Sequence, residues 1–240
     1  MRLIKCGYLC LLLLFGGCAS LPPGAQPNPD DPYERFNRAM YIFNDSLDRA
    51  ILKPVATGYH DYIPGPIQSG IGNFFTNLGT PIDILNNLLQ GKFLNALSDT
   101  GRLVINTTIG IGGLFDPAGA IGLVEHDEDF GQTLAVWGVP SGPYLVLPFV
   151  GPSGFRDGAG YLVDTRADPL YYYDENPEQY YLYALYYIDL RADLLQADDL
   201  LQDAFDPYAF VRDAYLQRRE YLIYDGNPPP ALPDYLLEDD

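Results

Sequence analysis

Histidine, cysteine and basic side chains are scarce in this chain. Its 240 residues hold two histidines, three cysteines and 14 Lys+Arg against 32 Asp+Glu, a formal charge of −18 at pH 7. Such an acidic excess excludes nucleic acid as a partner and excludes adhesion to anionic headgroups through a basic patch. Any membrane contact must come from acyl chains and apolar side chains. All three cysteines, Cys6, Cys10 and Cys18, fall in the first 18 residues, so the rest of the chain has no thiol for a disulfide, a metal or nucleophilic attack. No Gly-x-Ser-x-Gly elbow occurs, and Ser153 sits in turn chemistry with no neighbouring base. His60, in Tyr-His-Asp, reads as a surface histidine. The acidic run Glu125-His126-Asp127-Glu128-Asp129 does not have the spacing of a calcium loop and reads as a solvated charged loop. These absences point to no catalytic group, no metal and no cofactor. No apolar run reaches bilayer-spanning length.

What is present begins with a leader. Arg2 and Lys5 precede an apolar run from Gly7 to Phe15, then Gly16-Gly17-Cys18-Ala19-Ser20. A basic start, a short apolar stretch and small residues at the cut describe a secretory signal peptide. The cysteine after them resembles a bacterial lipobox, with Phe15 where leucine is commonest. Cys18 is therefore the predicted lipid-attachment residue and mature N-terminus. Three acyl chains exceed the two signals that stable anchoring needs, and Ala19 in the place of an aspartate favours the outer membrane. Loss of residues 1–17 removes Arg2 and Lys5, leaving 12 basic against 32 acidic residues and a charge of −20.

The mature chain divides into three parts. Residues 18–30 are a lipidated, Pro-rich flexible tether. Residues 31–226 are a single mostly helical domain, and 227–240 form an acidic Pro-rich tail expected to be disordered. Asp31-Pro32-Tyr33-Glu34 has the form of a capping box with proline at the first helical position, before Tyr33, Phe36, Met40, Phe43 and Leu47 at helical spacing. Thr80-Pro81-Ile82-Asp83 repeats that device and predicts a helix start, with Gly91 closing the helix. Asn176-Pro177 predicts a third helix, continuous to about residue 205 and enclosed in its uncharged first half. Asp206-Pro207 predicts a fourth, with Gly226 past its end. The Gly- and Pro-rich stretches 110–122 and 138–160 read as irregular, the run 141–154 as an apolar loop or small hairpin that needs cover.

Eight of the 20 tyrosines lie between residues 171 and 187. They fit either a Tyr-rich edge of the core or an interfacial belt, since tyrosine suits the headgroup level. A sugar-binding surface is a weaker third.

Several long motifs in order resemble the MlaA (VacJ) family of outer-membrane lipoproteins. They are Asp31-Pro-Tyr-Glu-Arg-Phe-Asn-Arg-Ala-Met-Tyr-Ile-Phe-Asn44, Ile109-Gly-Ile-Gly-Gly-Leu-Phe-Asp-Pro-Ala118, Asp129-Phe-Gly-Gln-Thr-Leu-Ala-Val-Trp-Gly138, Gly142-Pro-Tyr to Arg156-Asp157, and Asp206-Pro-Tyr to Arg219. The resemblance covers roughly residues 30–226. It implies a helical ring in the periplasmic leaflet of the outer membrane, which takes phospholipid from the outer leaflet and passes it to a soluble periplasmic carrier, MlaC, in association with a trimeric porin. On that basis Phe36, Asn37, Met40, Phe43 and Asn44 are candidates for lining a lipid passage, and Phe130-Gly131 for a gate. Tyr180, Tyr181, Tyr183, Leu185 and Tyr187, with Leu145, Leu147 and Phe149 of the apolar loop, are candidates for membrane contact. Two other readings stay open: a structural porin-associated lipoprotein that moves no lipid, and a lipid hydrolase, for which the nucleophile–base pair is missing.

Overall fold

A computed structural model describes residue 28, residues 31–173 and residues 177–230. The leader, Cys18, the rest of the tether, Asn176 and the tail from residue 231 lie outside the described residues. The described chain is mostly helical. α1 (Glu34–Leu47) runs through a π-helical segment (Asp48–Leu52) into α2 (Lys53–Tyr62). α3 (Gly65–Leu89) and α4 (Phe93–Thr108) pack along each other and are followed by the short α5 (Pro117–Ala120) and α6 (Phe130–Val136). A β-hairpin, β1 (Tyr144–Leu147) with β2 (Gly151–Gly154), leads into α7 (Phe155–Ala167). A 3-10 turn at Pro169–Tyr172 precedes α8 (Pro177–Asp193), a second 3-10 turn (Leu194–Ala197), α9 (Asp198–Asp203) and α10 (Pro207–Ile223).

α1, the hairpin and α10 build the apolar core. Met40, Tyr144, Val146 and Tyr208 are buried together, with Tyr41, Tyr215 and Leu216 against them. The alternation of β1 puts Tyr144 and Val146 inward. The outer edge of β1 is satisfied by side chains of α1 in place of a third strand. Asn37 donates to the Tyr144 carbonyl at 3.0 Å and accepts from the Val146 amide at 2.9 Å. One heptad on, Asn44 donates to the Leu147 carbonyl at 2.9 Å and accepts from the Phe149 amide at 2.8 Å. Seven residues place two side chains on one helix face, so two asparagines read three backbone groups of β1 and one of the hairpin turn. The predicted small hairpin is present, and α1 covers it.

Three local expectations need correction. The capping box at Asp31 does not form: α1 begins at Glu34, with no side-chain cap. The Asp31 carboxylate is drawn inward, where it accepts from Asn37 at 2.7 Å and from the Tyr208 hydroxyl, and Glu34 accepts from Arg38 instead. Buried donors from two elements outcompete the local amides. Thr80-Pro81 starts no helix, because Pro81 lies inside the 25-residue α3. The Thr80 hydroxyl donates back to the Thr76 carbonyl at 3.0 Å, and packing along α4 holds the helix across the break. Finally, the predicted helix over 177–205 is interrupted at Leu194–Ala197, where Arg191 spans from Asp48 of the π segment to Asp198 of α9.

Other expectations are met. α8 runs from Pro177 and α10 from Pro207, the latter capped by the Asp206 side chain on the Ala209 amide. Gly91 and Gly226 adopt positive φ of 78° and 82° past the ends of α3 and α10.

Candidate functional site

The interior behind the α1–hairpin core is polar to an unusual degree. Arg219 of α10 reaches both Asp129, the N-cap of α6, and Asp157 of α7; Asp157 also accepts from the Tyr215 hydroxyl at 2.8 Å. Burial pushes the Asp129 carboxyl up, but the hydrogen bond and charge of Arg219 outweigh it and hold the group below its usual range. Arg102 of α4 donates to the Leu123 carbonyl, Asp116 and Glu125. Asn86, fully buried in α3, donates to Asp164 of α7 and accepts from Thr133 of α6. Lys92, in the α3–α4 turn, pairs with Glu128 and Asp225. Buried polar groups are stable only when paired, and these are paired across five helices.

The segment 125–129 is the solvated loop its charges predict only at Glu125 and Asp127, which are exposed. Glu128 is buried, Glu125 pairs with Arg102, and His126 Nδ1 lies 3.0 Å from Asp99. Among the described residues no group of three His, Cys, Asp or Glu is placed to hold a metal ion. Asp83, beside this segment, is the carboxylate most displaced. Burial and the charges of Asp127, Asp99 and Glu125 push it up to about 8, against the opposing hydrogen bond from the Glu128 amide at 3.2 Å. Between the unfolded value near 4 and this folded value the native state holds the extra proton, so stability falls as pH rises through that window. Asp83→Asn keeps the acceptor oxygen and removes the titration. Its gain in stability over the parent should grow from nothing near pH 4 to on the order of 5 kcal/mol at pH 8, read from Tm across that range. A gain independent of pH contradicts this reading of Asp83.

The outside is correspondingly apolar. Leu94, Leu97, Val104 and Ile109, along and just past α4, are 82%, 68%, 56% and 70% exposed. Ile111, Phe115, Ile121, Val124 and Trp137 continue the exposed series through the glycine-rich turn and α6. On α4 the usual arrangement is inverted: Asp99, Arg102 and Asn106 are buried while the leucines face out. An apolar surface this continuous marks an interface with membrane or protein.

A cavity of about 530 Å³ opens between α3, α7, the first 3-10 turn and α8. Phe75, Leu78, Gly79 and Ile82 of α3 form one wall. Tyr180, Tyr183, Tyr186 and Tyr187 of α8 form another, completed by Tyr161 and by Tyr171 of the turn. Phe75 and Tyr186 meet edge to face at 5.2 Å. Asp164 and Asp168 supply the charge: Asp168 accepts from the Tyr183 hydroxyl at 2.9 Å and the Leu170 amide at 2.8 Å, Asp164 from the Phe130 amide at 2.9 Å. Burial pushes Asp164 up. It also raises the Tyr183, Tyr186 and Tyr187 hydroxyls, which stay neutral at physiological pH.

The structure sorts the sequence candidates. Tyr180, Tyr183 and Tyr187 come together on the cavity, while Tyr181 is exposed and Leu185 half-buried. The first half of α8 is thus open on one side, not enclosed. Asn37 and Met40 lie in the core, and Asn44 is committed to the hairpin. Phe36 is exposed, and Phe43 stacks edge to face on Phe149 at the exposed hairpin tip, with Leu145 and Leu147 half-buried behind it. None of the five α1 candidates lines the cavity. Phe130 meets Trp137 edge to face. A Cβ on Gly160 would lie 2.4 Å from the Gly131 amide nitrogen, so these glycines let α6 and α7 touch. Sequence reasoning missed the α3 wall and both cavity aspartates. Asp164 lies in α7, whereas Asp168 is the extended residue just past its end, so no helical spacing marks the pair.

The family model for MlaA lipoprotein matches residues 29–222. The chain is 39% identical over 221 residues to the intermembrane phospholipid transport system lipoprotein MlaA of Escherichia coli K12, covering 90% of this chain and 87% of that one. It is 34% identical over 231 residues to the lipoprotein of the same name from Haemophilus influenzae, covering 93% and 92%. It is also 39% identical over 195 residues to an uncharacterised protein of Rickettsia conorii, covering 80% and 78%. A solved structure described as the structural basis for maintenance of bacterial outer membrane lipid asymmetry superposes with a TM-score of 0.71 at 38% identity, covering 80% of this chain and 98% of that one.

Proposed function

Because the chain belongs to the MlaA lipoprotein family, we propose that it removes phospholipid from the outer leaflet of the outer membrane and passes it to a periplasmic carrier of the MlaC type, without covalent chemistry. The inverted distribution of polarity carries this reading. Charged and amide groups are paired inside, and a belt of aliphatic side chains faces out. That arrangement is costly in water and favourable with the domain seated in one leaflet, its apolar face against acyl chains. The acyl anchor at Cys18 then tethers a domain that already holds to lipid. Of the described helices none is long and apolar enough to cross a membrane.

The cavity supplies the passage in this proposal. Its walls offer aliphatic and aromatic surface to the tails and hydroxyls and carboxylates to the headgroup. A trimeric porin is the membrane partner in this reading.

Gly79 offers a direct test. It lies on the cavity wall inside α3, with no atom within 4 Å of a Cβ built on it. Gly79→Leu adds side-chain volume to the cavity and removes a flexible helix-interior glycine. Stability should therefore rise by about 0.5–1 kcal/mol while phospholipid transfer falls about tenfold or more. The measurement is outer-leaflet phospholipid in a deletion strain complemented with each variant, with lysophospholipid and free fatty acid assayed alongside. Undiminished transfer excludes this cavity as the route. Complementation that binds porin without restoring asymmetry favours the scaffold, and hydrolysis products favour an enzyme.

A further inference from the structure

The cavity's charge is one-sided. Among the described residues no lysine or arginine lines it, yet Asp164 and Asp168 do, and six tyrosines surround them. The donors that the described residues supply to the two carboxylates are neutral: the Leu170 and Phe130 amides, the Asn86 side chain and the Tyr183 hydroxyl. Neutral donors orient a carboxylate without cancelling its charge. Aromatic faces carry a negative quadrupole that attracts cations, above all where water is excluded. One cation already uses this surface, since the Arg166 guanidinium lies over the Tyr171 ring at 5.1 Å from its centre.

We propose that this cavity is the headgroup site of the transport route and binds the ammonium of a zwitterionic, amine-bearing phospholipid, selecting it over purely anionic phospholipids. The inference rests on the transport reading above. A glycerol headgroup would bring only its phosphate charge against two carboxylates, with no lysine or arginine among the lining residues and Arg219 reaching Asp164 alone from outside the cavity. An ammonium gains both carboxylates and the ring faces, and its arrival favours the ionised form of Asp164, which burial otherwise disfavours. Arg166, exposed beside Tyr171, is placed for the phosphate that every such lipid carries and does not discriminate between them.

The test is calorimetric titration of the purified full-length protein with dihexanoyl phosphatidylethanolamine, dihexanoyl phosphatidylglycerol and free phosphoethanolamine. The ethanolamine lipid should bind about tenfold more tightly than the glycerol lipid. Asp168→Asn should erase that ratio by weakening the ethanolamine lipid more than the glycerol lipid. Tyr180→Leu, at an exposed ring whose removal spares the fold, should reduce it several-fold. Equal affinities, or a preference for the glycerol lipid, overturn the proposal. So does binding of free phosphoethanolamine as tight as that of the lipid, which would mark a site for a soluble amine. Transfer of both lipids between vesicles and carrier is measured separately. Transfer with no headgroup preference sinks the amine site alone, and no transfer of either sinks the transport reading.

Discussion

Replacing Arg219 by leucine is expected to lower the unfolding free energy by about 3–5 kcal/mol, the range for removing one partner of a buried charge network. Among the described residues Arg219 is the lone cation bonded to both Asp129 and Asp157 across α6, α7 and α10. The Asp157 side chain is only 8% exposed and also holds Tyr215 and Arg156, so little water can replace the lost guanidinium. Asp129, 38% exposed, recovers more solvation and contributes less to the loss. Its carboxyl is held below the usual range, so its stabilisation is present above about pH 4 and disappears as pH falls further. The parent should therefore lose its advantage over Arg219→Leu in acid. Adding Asp157→Asn to Arg219→Leu should recover only a small part of the stability, because Asp157 keeps its ion pair with Arg156 at 3.0 Å when Arg219 is gone. Urea unfolding of the two single variants and the double variant measures this. A loss below about 1 kcal/mol for Arg219→Leu would show that the network is solvated and structurally minor.

The second large effect concerns attachment. Cys18→Ser removes the proposed acylation site, yet the belt predicts that the protein stays partly membrane-associated and dependent on detergent. Adding Leu94→Glu, Leu97→Glu and Ile109→Glu should release it to the soluble fraction. Each charge carried to hydrocarbon depth costs about 2.5–3.5 kcal/mol, so three amount to about 7–10 kcal/mol if all reach that depth. The same three residues are 68–82% exposed in the protein, so their replacement should move stability in detergent by only about 0.5 kcal/mol each. Sedimentation of membranes, with urea unfolding of the purified variants, separates the two effects. Full solubility of Cys18→Ser alone would refute the leaflet reading and leave the acyl chains as the whole attachment.

The same belt explains which parts of the fold were legible. α8 and α10 announce themselves through Asn176-Pro177 and Asp206-Pro207 because their starts are set by local backbone chemistry. α4 does not, because apolar periodicity assumes that leucines point inward, and here Asp99, Arg102 and Asn106 do. The leaflet proposal reverses that assumption for α4, since its outer face would then meet lipid. Asp31 misled for a different reason. Its hydrogen-bond partners Asn37 and Tyr208 include a residue 177 positions away, and no local motif reports a donor at that distance. Asn37 and Asn44 illustrate the same limit, since polarity near an apolar stripe suggested a passage and the hairpin that uses it lies more than 100 residues on. The tyrosine cluster was legible as a cluster, whereas the cavity needed α3 and α7 to give it walls and charge.

The π-helical segment Asp48–Leu52 has one further consequence. It inserts a wider turn into what is otherwise a continuous rod from Glu34 to Tyr62, and one extra residue advances the phase of a helix by about 100°. Upstream, the rod presents its face to the hairpin and to Tyr208 of α10; downstream, it presents one to α8. A straight α-helix of this sequence would keep both stripes on a single azimuth and satisfy only one of those neighbours. The insertion works as a rotary offset, letting one uninterrupted axle index the core at one end and the tyrosine wall at the other, so that the chain's length here is fixed to the residue.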